Sequence, residues 1–129
     1  MKTWMMTAAL AIAMLGTAQA EPPAMKRTEL SRHDLAIKDR EVVVTRGEFP
    51  AGAQTPKHTH PGDEVAFVLE GALTIELDGK PAVTVKAGET FFVPGGTVHQ
   101  GKNLAKTQTV VISTYIIEKG KPLVQPVTK

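Results

Sequence analysis

Residues 52–103 read GAQTPKHTHPGDEVAFVLEGALTIELDGKPAVTVKAGETFFVPGGTVHQGKN, and this stretch decides the fold. Its apolar residues come in short runs cut by glycine and proline. Glu64–Glu70 (EVAFVLE) stops at Gly71, and Ala72–Leu77 (ALTIEL) stops at Asp78-Gly79. Ala82–Lys86 (AVTVK) alternates and stops at Ala87-Gly88, and Thr90–Val93 (TFFV) stops at Pro94-Gly95-Gly96. Short runs of β-branched and aromatic residues between turn formers are the signature of strands. Asp78-Gly79 is a two-residue hairpin signal. No window places its apolar residues at helical spacing.

The pattern continues on both sides. Upstream, Val42, Val43 and Val44 begin a run that reaches Phe49. Downstream, Val98–Gln100 and Thr107–Glu118 (TQTVVISTYIIE) are strand candidates, the last ended by Gly120 and Pro122. Many short strands at even spacing predict an all-β fold, a small β-barrel or jelly roll with a pocket between its sheets. The expected organisation is a signal peptide at 1–20, an N-terminal arm or short edge strand at 21–40, a barrel at 41–120 and an extended tail at 121–129.

The first twenty residues, MKTWMMTAALAIAMLGTAQA, have the order of a secretory signal. Lys2 is the positive region, Met5–Leu15 the apolar region, and Ala18-Gln19-Ala20 the small-residue cleavage site. The apolar run falls short of the roughly 20 residues that span a bilayer. Cleavage after Ala20, a periplasmic or secreted location and no remaining membrane anchor are therefore expected.

Composition narrows the chemistry. The chain has 129 residues, four histidines and no cysteine. A disulfide, a thiolate zinc knuckle, an iron–sulfur cluster and a cysteine nucleophile are excluded. With 15 Lys+Arg against 13 Asp+Glu and no basic run, nucleic acid is not an expected partner. Any metal must sit on His, Asp, Glu or backbone oxygen.

Three of the four histidines fall near one glutamate. His58 and His60 are two apart, the spacing that puts both on one face of a strand. Glu64 follows the turn Pro61-Gly62-Asp63, and His99 lies just beyond Pro94-Gly95-Gly96. Imidazoles with a carboxylate suit one divalent transition metal ion, among Fe, Mn, Co, Ni, Cu and Zn. Such an ion leaves positions open for water, oxygen or a chelating substrate. Glu64 could bind the ion or act as a base.

These positions resemble the cupins in both of that family's signature motifs. The first is Gly52, five residues, His58-Thr59-His60, three residues, Glu64, six residues, Gly71. The second is Gly88, five residues, Pro94-Gly95-Gly96, two residues, His99, three residues, Asn103. Sixteen residues separate the two, as in small single-domain bacterial cupins. The resemblance implies a double-stranded β-helix, with His58, His60, Glu64 and His99 as metal ligands and Glu64 also as catalytic base. With the signal segment and a four-ligand site that leaves two positions open, the expectation among the family's many activities is an exported metal-dependent oxidoreductase, dioxygenase-like, acting on a small oxygen-chelating compound. A binding module without turnover and an isomerase or lyase on a sugar acid are the alternatives. A homodimer is expected, because small cupins commonly pair through their sheets.

Other residues have plainer expected roles. Gly52, Gly71, Gly88 and Gly96 are read as turn glycines, and Pro94 and Asn103 as turn and loop anchors. Phe67, Phe91, Phe92 and Tyr115 are expected in the core. His33 is expected at the surface. Gln54, Lys57 and Gln100 flank the proposed ligands.

Overall fold

A computed structural model describes residue 13 and residues 15–128. Most of the expected signal segment lies outside the described residues. Ten strands form: β1 (Lys26–Asp34), β2 (Arg40–Phe49), β3 (His58–Thr59), β4 (Gly62–Glu70), β5 (Ala72–Leu77), β6 (Val83–Lys86), β7 (Thr90–Val93), β8 (His99–Lys102), β9 (Thr109–Glu118) and β10 (Gln125–Pro126). No helix occurs among the described residues. The all-β expectation holds.

The strands make two five-stranded sheets, ordered β1-β2-β9-β4-β7 and β10-β3-β8-β5-β6, and every pairing is antiparallel. Two facing antiparallel sheets are the jelly-roll arrangement. Alternation along β2 turns Val43, Thr45, Gly47 and Phe49 inward, and along β9 Val111, Ser113, Tyr115 and Ile117. One core cluster gathers Phe49, Ala66, Val68, Leu73, Ile75 and Val111. A smaller one joins Val43, Tyr115 and Ile117. Between the clusters lies a stretch of interior lined by polar side chains.

Two local expectations change. Asp78-Gly79 does turn the chain, with the Lys80 amide donating to the Leu77 carbonyl at 3.0 Å. The hairpin is wider than two residues, because β5 and β6 first pair at Ile75 and Val83. Glu76 and Leu77 pair with β8 instead, and Pro81 has no N–H for a ladder. Phe67 and Phe92 are not core residues, being 39% and 53% exposed. Phe91 and Phe92 are consecutive on β7, so they point to opposite faces, and Phe91 takes the inner one. Phe67 falls on the outer side of β4, beside Val65 and Leu69. Tyr115 is buried and His33 is exposed, as expected.

Gly52, Gly71, Gly88 and Gly96 all have positive φ. The tightest glycine is another one. Gly62 opens β4 opposite Ile117, and a Cβ there would lie 1.9 Å from the Ile116 carbonyl oxygen. That close approach of backbones seats β4 on β9, two residues before Glu64. Gly62→Ala is expected to destabilise the protein by about 3 kcal/mol or more, because a backbone strand must move. Gly79→Ala, in open space but at φ 75°, is expected to cost about 1–2 kcal/mol. Denaturant unfolding of the two variants side by side checks this, and equal losses would dismiss the close approach as the cause.

Candidate metal centre

Three strands bring the predicted residues together. His58 is in β3, and His60 follows just after it. Glu64 is in β4, and His99 opens β8 directly opposite His58. The single intervening residue puts both imidazoles of the His-x-His on the inner face. All four side chains are buried, at 3%, 3%, 5% and 4% exposure for His58, His60, Glu64 and His99. One ring nitrogen from each histidine lies within 4.8 Å of the others, so the three could hold a metal ion.

Backbone carbonyls set the orientation of every ring. His58 Nδ1 is 2.7 Å from the Pro56 carbonyl oxygen, His60 Nδ1 is 2.6 Å from that of Leu123, and His99 Nδ1 is 2.9 Å from that of Thr97. A carbonyl oxygen only accepts, so each Nδ1 donates a proton. In the neutral ring the lone pair is then on Nε2. Glu64 Oε2 is 3.1 Å from His60 Nε2 and 3.5 Å from His99 Nε2. His60 Nε2 is buried with no hydrogen-bond partner among the described residues.

Lone pairs thus face lone pairs among nearly fully buried side chains. Positive charge between them removes the conflict. Burial alone would raise the Glu64 carboxyl, yet hydrogen bonding with His60 and His99, the attraction of His60 and the hydrogen bond from Ser113 hold it below the ordinary carboxylate range. Positive charge at their meeting point would satisfy the facing lone pairs. A metal cation would supply it to all three rings and the carboxylate together, so the donor set fits a divalent ion.

The centre opens into a small cavity; the space between its walls reaches about 400 Å³ only when open solvent at the mouth is counted. Phe49, Leu73, Ile75, Phe91 and Val111 supply apolar wall. Gln54, Lys57 and Gln100 do not line it. Gln100 Nε2 donates to the Thr55 carbonyl at 2.7 Å, which occupies it structurally. Asn103, fully buried, donates to the carbonyls of Phe49, Pro50 and Thr107 and anchors the loop after β8.

Four contributors escape a reading by motif. Ser113 Oγ donates to Glu64 Oε1 at 2.9 Å and fixes that carboxylate. The Tyr115 ring stands edge-on to His60 at 4.7 Å between centroids. Burial, then the nearby Glu64 charge, pushes the Tyr115 phenol up to about 12, so it stays protonated. Arg27 reaches the cavity from β1. The Leu123 carbonyl is a backbone group and leaves no mark in the sequence. Ser113 did leave one, as a polar residue on the inward face of β9 between Val111 and Tyr115.

Burial pushes His58 down to about 4, with its carbonyl bond opposing and the neighbouring imidazoles reinforcing the shift. The unfolded chain takes up a proton near pH 6.5, while the folded one resists it. Stability of the metal-free protein is therefore full above pH 6.5 and falls as the pH drops from 6.5 towards 4, by on the order of 3 kcal/mol. His58→Gln is expected to flatten this slope. Urea midpoints measured every half pH unit on the metal-free protein check it, and a slope unchanged in the variant would assign it to another group.

The comparisons with known proteins agree with the geometry. The family described as "Cupin domain" matches residues 45–115. Germin-like protein 3-5 of Oryza sativa subsp. japonica is 31% identical over 113 residues, 81% of this chain and 50% of its own length. The chain thus spans about half the length of that curated relative. The solved cupin domain from Bordetella pertussis superposes with a TM-score of 0.63 at 26% identity, over 76% of this chain and 98% of its own. A solved oxalate oxidase in complex with the substrate analogue glycolate superposes with a TM-score of 0.64 at 27% identity, over 80% and 55%. With both motifs intact on a two-sheet jelly roll, the chain belongs to the cupin family.

Proposed function

We propose that this protein is an exported metal-dependent cupin that oxidises a small oxygen-chelating compound. His58, His60, Glu64 and His99 are its ligands for one divalent transition metal ion, among Fe, Mn, Ni, Cu and Zn. The observation that carries this reading is the convergence of three Nε2 lone pairs and one carboxylate oxygen at the floor of a cavity. Bound there, the ion would polarise a substrate carbonyl or hydroxyl.

The chain's own residues supply the rest. The three Nδ1 bonds hold the rings in place before any substrate arrives. Ser113 holds Glu64 Oε1 and keeps Oε2 aimed at the imidazoles, from where it would bind the ion or, released from it, take a proton from a substrate hydroxyl. The apolar wall excludes water, and the cavity limits the substrate to a small molecule. The likeness to an oxalate oxidase bound to glycolate supports oxidation of a compact, oxygen-rich compound.

Oxygen uptake tests the reading. Protein loaded separately with each metal is assayed with hydroxy acids, diketones and diphenols, and its metal content is measured. Uptake with at least one ion is expected, and Glu64→Gln should lower it about 100-fold or more. Stoichiometric metal with no uptake would point to a binding module without turnover. Turnover without oxygen would point to isomerase or lyase chemistry.

Export and pairing complete the proposal. The order of Lys2, the apolar Met5–Leu15 and Ala18-Gln19-Ala20 supports cleavage after Ala20. The exposed Val65, Phe67, Leu69 and Phe92 on one sheet face support pairing with a second copy. Protein taken from its native host should begin at Glu21 and sediment as a dimer at micromolar concentration. A retained Met1 would remove the first claim, and a monomer the second.

A further inference from the structure

The cavity above the imidazoles holds one permanent cation, and no described residue neutralises it. Arg27 lines the cavity together with His58, His60, Glu64 and His99. It is half-buried, and among the described residues its guanidinium has no carboxylate within ion-pair distance and no hydrogen-bond acceptor. The chain's other Arg–carboxylate contacts, Arg32 with Glu29 and Glu41 and Arg46 with Glu48, lie away from this cavity.

The register explains how Arg27 gets there. β1 is an edge strand, and its Arg27 pairs with Gly47 of β2, an inward position. Paired residues on antiparallel strands face the same side. Gly47 has no side chain, so its place on the inward side is a gap, bordered by Phe49 Cε2 at 3.3 Å from where a Cβ would be. The same gap admits Met25, whose Cε would lie 3.0 Å from a Cβ at position 47. A guanidinium on the inward side of an edge strand, lining the cavity and left without an acceptor, is placed to meet a ligand.

The balance of charge gives the ligand's character. The cavity's ionisable lining is one guanidinium, one carboxylate, three imidazoles and a protonated phenol. With a divalent ion on the ligands, the net charge is close to +2, which complements a dianion. The planar guanidinium matches a carboxylate through two parallel hydrogen bonds.

We propose that Arg27 is the residue that recognises the substrate's charge. It binds one carboxylate of a small dicarboxylate at the cavity mouth, while the other end faces His58, His60 and His99. This names the substrate class of the same site and rests on the metal-centre reading above. Arg27 contacts the far end of the substrate, so it is a specificity residue and not a metal ligand.

The test is calorimetric titration of zinc-loaded protein and of metal-free protein. The ligands are malonate, succinate and glutarate, each with its monoamide as singly charged control. The wild type should prefer at least one diacid over its monoamide. Arg27→Gln should weaken that diacid about ten-fold or more and erase the preference. Arg27→Lys should recover part of it. The Arg27 dependence should persist, with weaker binding, in the metal-free protein. Bound zinc and melting temperature should be unchanged in both variants, which separates lost recognition from lost folding.

Diacid affinities within two-fold of wild type in Arg27→Gln would overturn the proposal even where zinc binds fully. Failure to bind zinc would instead overturn the metal-centre reading, with Arg27 still judged in the metal-free titration. Inorganic phosphate that binds through Arg27 where no diacid does would overturn the carboxylate assignment.

Discussion

Three backbone carbonyls govern the centre of this protein. By accepting from Nδ1 of His58, His60 and His99, they fix which ring nitrogen carries a proton and turn every Nε2 lone pair towards one point. Glu64 is aimed at the same point and braced by Ser113. No hydrophobic core gains from such an arrangement, since a buried carboxylate next to lone pairs is unfavourable without positive charge. The two sheets impose it through the antiparallel pairing of β3 with β8 and the seating of β4 on β9.

Rigidity on the apolar side makes this possible. Phe49, Leu73, Ile75 and Val111 close one side of the interior. Their packing leaves the four polar groups little room to rotate away from one another. Gly62 adds a separate constraint, because its lack of a side chain lets β4 approach the Ile116 carbonyl. Ligand geometry and strand packing are therefore one problem. A change that shifts β4 shifts Glu64, whatever the chemistry of the new residue.

Much of this could be read in the sequence, for a physical reason. Strand period and turn chemistry are local, so the runs ending at Gly71, Ala87-Gly88 and Pro94-Gly95-Gly96 were readable as strands. His58 and His60 could be placed on one face because a strand's side chains alternate. What was not local was not readable. The outward Phe67 and Phe92 depend on which face of the sheet meets the core. The wide turn at Asp78-Gly79 depends on β8 capturing the end of β5. Arg27 sits in a polar stretch with no motif, and its place follows only from pairing opposite Gly47.

The first strand and the segment before the last one reach the same centre. β1 brings Arg27 to the cavity, and the segment before β10 brings the Leu123 carbonyl to His60. The second contact bridges 63 positions along the chain. A ribosome therefore releases His58, His60 and Glu64 long before the group that orients His60 exists. His60 is therefore oriented only once the segment before β10 is in place, so the donor set as a whole belongs to the completed polypeptide and not to the emerging one.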